Sequence, residues 1–333
     1  MVERSVAHGT FTIERAYAGP PARTGSPMRF IGRLALATTA AIAFATPSEA
    51  EIMMTERTAR NGEVQIFTEA LGDPSDPPIV LIMGAMASKL WWPDGFVDRL
   101  AATGRYVIRY DNRDTGLSTT FPPGEGAYTI ADMVDDALAV IEAHGLDGAH
   151  VVGMSLGGVI AQHLALAHPD RVATLTAIAT TPLGIGGLPS MTAAYAEHAV
   201  TGEVVDWSDD ARIADFLIRD AAMLAGTRHP HDAVAARELV ERDLARSPSF
   251  ASATNHFAVL ADLAGGARAA DLAVPVLVVH GTSDPIFPVT HAEAFVRAVD
   301  GAGLELIEGG GHELHAADWP QIVAALADRT RRP

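Results

Sequence analysis

Six residues, Gly153-Met154-Ser155-Leu156-Gly157-Gly158, constrain this chain more than any other stretch. They follow an apolar run, Ala149-His150-Val151-Val152, and precede a helix-like run from Val159 to Ala167. Strand, Gly-x-Ser-x-Gly, then helix is the context in which a serine sits on a sharp elbow with its hydroxyl proud of the strand edge. The reason is steric. A turn this tight strains the serine backbone, and small residues at 153 and 157 let strand and helix close behind it. In isolation the pattern would also suit a glycine-rich turn, and it is the flanking periodicity that makes Ser155 a nucleophile candidate.

Around the elbow, strand-like and helix-like segments alternate. Residues 63–66 alternate like a strand, and Pro78–Met83 is a continuous apolar run, as expected of a strand buried on both faces. A helix is predicted over Asp94–Ala102, a strand over Tyr106–Tyr110 and a helix over Tyr128–Ala143, stopped by Gly145. After the elbow helix comes a strand at Val172–Ile178. Between Thr181 and Ala273 the alternation lapses into helical stretches, roughly 190–200, 209–224, 232–246 and 251–263. Strands resume at 275–279 and 304–307, and a helix from Trp319 to Thr330 closes the chain. The pattern predicts an α/β fold with a doubly wound, mostly parallel sheet. The core is expected over 54–180 and 274–333, with 181–273 as a helical cap over the strands' C-terminal edge.

A serine hydroxyl is a poor nucleophile at neutral pH and needs a base, which in turn needs an orienting group. His280-Gly281-Thr282-Ser283-Asp284-Pro285 follows the strand at 275–279, and Glu308-Gly309-Gly310-Gly311-His312 follows that at 304–307. Taken singly, Asp284 reads as well as a turn former and His312 as a loop histidine. Placed after successive strands, they complete the order Ser155, Asp284, His312 expected for an elbow on this kind of sheet. Negative charge developing on a substrate carbonyl also needs N–H donors. The amide of Leu156 is one. The second is expected from the turn after Met83, with Ala85 favoured over Met86. His280-Gly281 lies at the wrong strand for that role.

No metal is expected: His312-Glu313-Leu314-His315 lacks the His-Glu-x-x-His spacing, and His229 and His231 read as surface residues. No cofactor is expected either. With no cysteine, a disulfide framework and a thiolate nucleophile are excluded. A formal charge of −17 speaks against nucleic-acid partners and anionic membranes. At 48% apolar and 20% charged, the 333 residues suit a globular protein with a sizeable core.

Residues 1–53 stand apart. Met28–Arg33 is basic, Leu34–Ala45 is apolar and Ser48-Glu49-Ala50 offers a cleavage site, together the anatomy of a secretory signal too short to anchor stably. Equally, Met53 or Met54 reads as the start of translation, and the absence of lysine other than Lys89 suggests a GC-rich genome where frames run on upstream. Export follows from the first reading and a cytoplasmic location from the second.

These residues together resemble the α/β-hydrolase superfamily, in the branch with one cap insertion. Three passages are similar to the aclacinomycin methylesterase-like esterases: Leu81-Ile82-Met83-Gly84, Trp92-Pro93-Asp94, and Arg109-Tyr110-Asp111 with Arg113-Asp114-Thr115-Gly116. Met83-Gly84 stands where the superfamily usually carries His-Gly, and Met54-Thr55-Glu56-Arg57 resembles the start of such proteins. The resemblance implies a serine carboxylic-ester hydrolase forming an acyl-enzyme on a small to medium, largely apolar ester, a methyl ester included. Candidate pocket residues are Met86, Trp92, Phe216, Met223, Phe257 and Phe287, each of which could instead pack cap against core. Arg113 and Asp114 are expected to hold their own loop. Ser155 excludes relatives with an aspartate or cysteine nucleophile. Carbon–carbon hydrolases, which commonly carry tryptophan where Glu313 stands, and cofactor-free haloperoxidases or perhydrolases remain open. So does a small-molecule receptor built on the same scaffold.

Overall fold

The computed structural model describes residues 54–261 and 266–330. The signal-like stretch and Met53, one of the two alternative starts, lie outside the described residues.

Eight strands form one sheet: β1 (Met54–Asn61), β2 (Val64–Leu71), β3 (Pro78–Ile82), β4 (Tyr106–Tyr110), β5 (Ala149–Met154), β6 (Val172–Ile178), β7 (Val276–Gly281) and β8 (Gly303–Ile307). Their spatial order is β1-β2-β4-β3-β5-β6-β7-β8. Only the pairings of β2, with β1 and with β4, are antiparallel; in spatial order from β4 to β8 every pairing is parallel. The sheet is thus the mostly parallel one expected. Burial explains the continuous apolar run of β3, all but the first residue of which is out of solvent; every residue of β4 is buried too, its Arg109 paired with Glu69.

Helices cover both faces. On one lie α2 (Ile130–Ala143), α3 (Leu156–Ala167) and α8 (Thr290–Ala298), packing Val140, Ile160 and Phe295 against Val80, Val151 and Val278. On the other, α1 (Asp94–Ala101) and α9 (Trp319–Arg329) pack Phe96, Leu100, Ile322 and Leu326 against Leu81, Val152 and Val279. The Asp132 carboxylate accepts from the Thr129 N–H at 2.8 Å, which satisfies an orphan donor where α2 begins.

Between β6 and β7 lie α4 (Ala193–Val200), α5 (Asp210–Leu224), α6 (Ala233–Arg246) and α7 (His256–Ala261). Asp209 and Asp232 cap α5 and α6 through their side chains. The insertion has a small core of its own, Ile213, Phe216, Leu217, Val240 and Phe250. The single helix expected over 251–263 is instead a tight turn of helix at Phe250–Asn255 followed by α7, and residues 262–265 lie outside the described residues. Thr254 hydroxyl bonds back to Ala251 C=O at 2.7 Å, and Asn255 spends its side chain on Gly124 and Asp114, which favours the tighter winding.

Two elements were not expected. Of β1 only Ala59 is buried, so the strand has no apolar alternation to betray it; pairing with β2 across a Gly62 turn at φ 58° forms it. Helix α8 buries only one side, around Ala292 and Phe295, in a short segment that interleaves Thr290, His291, Glu293 and Arg297 with its apolar residues. Also, β7 extends through His280 and Gly281, beyond the strand expected at 275–279. Among the described residues no helix is long and apolar enough to cross a membrane.

Candidate active site

Ser155 stands between the end of β5 and the start of α3, at φ 53° and ψ −120°. That backbone is strained for a residue with a Cβ, and the surroundings enforce it. A Cβ on Gly153 would run into the Gly157 carbonyl, and one on Gly157 into the Ile82 carbonyl. The elbow is pinned from β6 and the turn after it: Ser155 N–H donates to Ile178 C=O at 3.0 Å and Thr180 Oγ1 to Ser155 C=O at 2.8 Å. Ser155 Oγ has no hydrogen-bond partner among the described residues.

Two and three strands away across the sheet, the loops after β7 and β8 bring Asp284 and His312 together. Asp284 Oδ2 accepts from His312 Nδ1 at 2.8 Å, both side chains nearly closed to solvent. Its other oxygen accepts the amides of Ile286 at 2.8 Å and Phe287 at 2.9 Å. Burial pushes the Asp284 pKa up, but the nearby His312 and these donors more than offset it, and the net shift is downward. An ionised acceptor fixes the proton of a neutral His312 on Nδ1 and leaves Nε2 bare. His280, dismissed as an oxyanion donor, instead braces this loop: its Nε2 donates to Phe287 C=O at 2.7 Å.

The turn after β3 approaches the elbow closely. A Cβ on Gly84 would sit 3.1 Å from Ser155 Cβ and 3.6 Å from its Oγ. Asn112 Nδ2 holds the turn by donating to Met83 C=O at 3.0 Å. Of the two amides considered, Met86 N–H is already given to His256 Nδ1 at 3.0 Å, whereas Ala85 N–H and Leu156 N–H meet no acceptor among the described residues.

The six pocket candidates separate. Phe287 lies against His312, ring centroids 5.7 Å apart. Met86 and Phe216 pack in the small core of the insertion, and Met223 is half-buried on α5. Trp92 is wholly buried and stacked on Phe96 at 5.7 Å, so it packs the core beneath the sheet rather than lining open space. Phe257 is 53% exposed, while its neighbour His256 turns inward.

Arg113 and Asp114 hold their loop as expected. Arg113 forks onto Asp136 at 2.6 and 2.8 Å, and Asp114 accepts from Tyr128 Oη at 2.7 Å. What the sequence did not disclose is His256, fully buried, whose Nε2 donates to Arg113 C=O at 2.8 Å. With the Met86 bond, it ties the loops after β3 and β4 to the insertion. Its partners are 143 and 170 positions away, so no local spacing marks it.

His229, read as a surface residue, is half-buried and pairs with Asp318 at 3.0 Å, its ring stacked on His315. Ligand atoms of His229, His315 and Asp318 lie within 4.8 Å of one another, so this is where the described residues could hold a metal ion. The Arg228 guanidinium, 3.6 Å from the same Asp318 oxygen, already supplies a positive charge there.

The family described as alpha/beta hydrolase fold matches residues 77–317. The chain belongs to the α/β-hydrolase family. It is an enzyme, a hydrolase of the esterase class. It is 34% identical to the rhodomycin D methylesterase of Streptomyces peucetius over 84% of this chain and 99% of that one. With the rhodomycin D methylesterase of Streptomyces sp. strain C5 the figures are 33%, 84% and 99%. Among solved structures, the 2-hydroxy-6-oxo-6-phenylhexa-2,4-dienoate hydrolase of Rhodococcus sp. strain RHA1 superposes with a TM-score of 0.67 at 19% identity, over 84% of this chain and 100% of that one. At that identity the likeness speaks for the α/β-hydrolase fold alone.

Proposed function

We propose that this hydrolase cleaves carboxylic esters through a Ser155–His312–Asp284 triad and an acyl-enzyme. One observation carries the reading: a strained serine with an unspent hydroxyl shares one sheet edge with a histidine whose Nδ1 is committed to a buried carboxylate. In this mechanism Nε2 of His312 takes the Ser155 proton as Oγ attacks the ester carbonyl. The amides of Ala85 and Leu156 receive the oxyanion. His312 then returns the proton to the departing alkoxide, the alcohol leaves, and Ser155 holds the acyl group. Water, deprotonated by the same nitrogen, releases the acid and restores the serine. Asp284 keeps the imidazole in the right tautomer and stabilises its charged form.

The helical insertion acts as the cap; Phe216 and Met223 on it, with Met86 and Phe287 in the loops after β3 and β7, are the candidate contacts with a small to medium, largely apolar ester. The two rhodomycin D methylesterases make a methyl ester the form to test first. Ser155→Ala is expected to abolish turnover of p-nitrophenyl butyrate and labelling by a fluorophosphonate. Retention of both activities in that variant would overturn the assignment.

A further inference from the structure

Two helices of the insertion rest on the loops that carry Asp284 and His312. At the start of α4, Thr192 N–H donates to Pro285 C=O at 2.8 Å; at the end of α5, Leu224 C=O accepts from His312 N–H at 2.8 Å. Three polar side chains converge between these helices. Tyr195 and His198 lie one turn apart on α4, and Asp220 lies one turn before Leu224 on α5. Tyr195 Oη and His198 Nε2 each meet Asp220 Oδ1 at 3.0 Å. Phe216 stacks on the His198 ring at 5.3 Å and closes the apolar side.

The arrangement leaves Asp220 incompletely matched. Both donors go to Oδ1, and Oδ2 accepts from no described residue although a carboxylate offers sites on both oxygens. Among the described residues no arginine or lysine pairs with it, and His198 is its sole ion-pair partner. Its position near the C-terminal end of α5, where the helix dipole is negative and no basic residue follows, adds to the local negative potential. Burial pushes its pKa up, against the hydrogen bonds of Tyr195 and His198 and the field of His312. The side chain is still 21% exposed, enough for a ligand group to touch it.

We propose that Asp220, framed by Tyr195 and His198, is a recognition subsite for a cationic amine on the non-reacting part of the substrate. A protonated amine would supply the missing counter-charge and donate to the open oxygen, a charge-assisted hydrogen bond in a partly desolvated place. The subsite deepens the ester-hydrolase reading and rests on it for its role in turnover. Binding can nevertheless be measured without turnover.

Ser155→Ala protein is titrated calorimetrically at neutral pH with methyl esters of ω-amino acids and of the matching n-alkanoic acids, chain by chain from butanoate to dodecanoate. At the chain length that reaches Asp220, the amino ester is expected to bind about tenfold more tightly, as one charge-assisted hydrogen bond allows. Adding Asp220→Asn should bring the ratio to about one. Equal affinities at every chain length, or a preference that survives Asp220→Asn, would overturn the subsite. The wild-type protein is assayed on the same esters. Hydrolysis without an amine preference would sink the subsite and keep the esterase. An Asp220-dependent preference without hydrolysis would do the reverse.

Discussion

The backbone N–H of Met86 donates to Nδ1 of His256 at 3.0 Å, joining the turn after β3 to the first residue of α7. On the far side of the ring Nε2 donates to Arg113 C=O, so the tautomer is set by two backbone groups that can each play only one part. Met86 itself sits at φ 62°, a conformation its side chain disfavours, and this bond helps to hold it. The neighbouring Ala85 amide is aimed by the same turn. His256→Ala would leave a buried N–H and C=O unmatched, and is expected to lower stability by about 3 kcal/mol. It should also reduce kcat on p-nitrophenyl butyrate by roughly tenfold, through displacement of the proposed oxyanion donor. Urea unfolding and steady-state kinetics check the two effects. A variant with normal kcat would show that the turn needs no brace.

Asp284 accepts three hydrogen bonds, two from backbone amides and one from His312. Asp284→Asn keeps an oxygen for the amides but turns an NH2 toward Nδ1, which forces the proton of the neutral imidazole onto Nε2. The base is then blocked. The expected fall in kcat is roughly 10³- to 10⁴-fold, with KM changed only a few-fold. A loss smaller than tenfold would mean that His312 is not the base.

Arg246 on α6 clasps the insertion to the core by a forked pair onto Asp111, which is wholly buried. Asp111 also accepts the amides of Lys89 and Leu117. Arg246→Ala strands that carboxylate and is expected to destabilise the protein by roughly 3 kcal/mol, since breaking one half of a buried pair leaves the other charge uncompensated. Asp111→Asn in the same chain should recover part of the loss. Thermal unfolding of the two single variants and the double variant measures this coupling. Strict additivity would mean that Arg246 and Asp111 do not act as a pair.

The elements that were legible in the sequence are those whose signal is local. β3 reads as an apolar run because the sheet buries both its faces, and the elbow reads because a strained serine needs small neighbours on either side. The pairing of Asp284 with His312 is legible in their places after successive strands. Trp92 was misassigned because apolar composition does not tell a pocket wall from a core, and this ring is enclosed by Phe96 and the sheet. His256 and the Asp220 group escaped for the opposite reason. Each meets partners far along the chain or across two helices, and only folding brings those together.

His144 makes the acid response of the fold testable. It lies at the end of α2 with Nε2 at 2.9 Å from Thr68 Oγ1 and Nδ1 at 2.9 Å from Tyr106 Oη. Thr68 spends its proton on Arg57 C=O, so it accepts from Nε2–H, and Tyr106 donates to a bare Nδ1: the ring is held neutral. Burial first, and then the positive field of Arg57, lower its pKa from 6.5 to about 4. The unfolded chain therefore binds a proton at a higher pH than the folded one. Stability contributed by the neutral ring is complete above about 6.5 and is lost as pH falls from there toward 4, by up to about 3 kcal/mol. The pKa values of His150 and His256 are also lowered by burial and act in the same direction. His144→Gln should be less stable than wild type at pH 7.5 yet lose less between pH 6.5 and 4. Urea unfolding across that range gives both slopes, and parallel curves would show that the proton taken up on unfolding is not bound by His144.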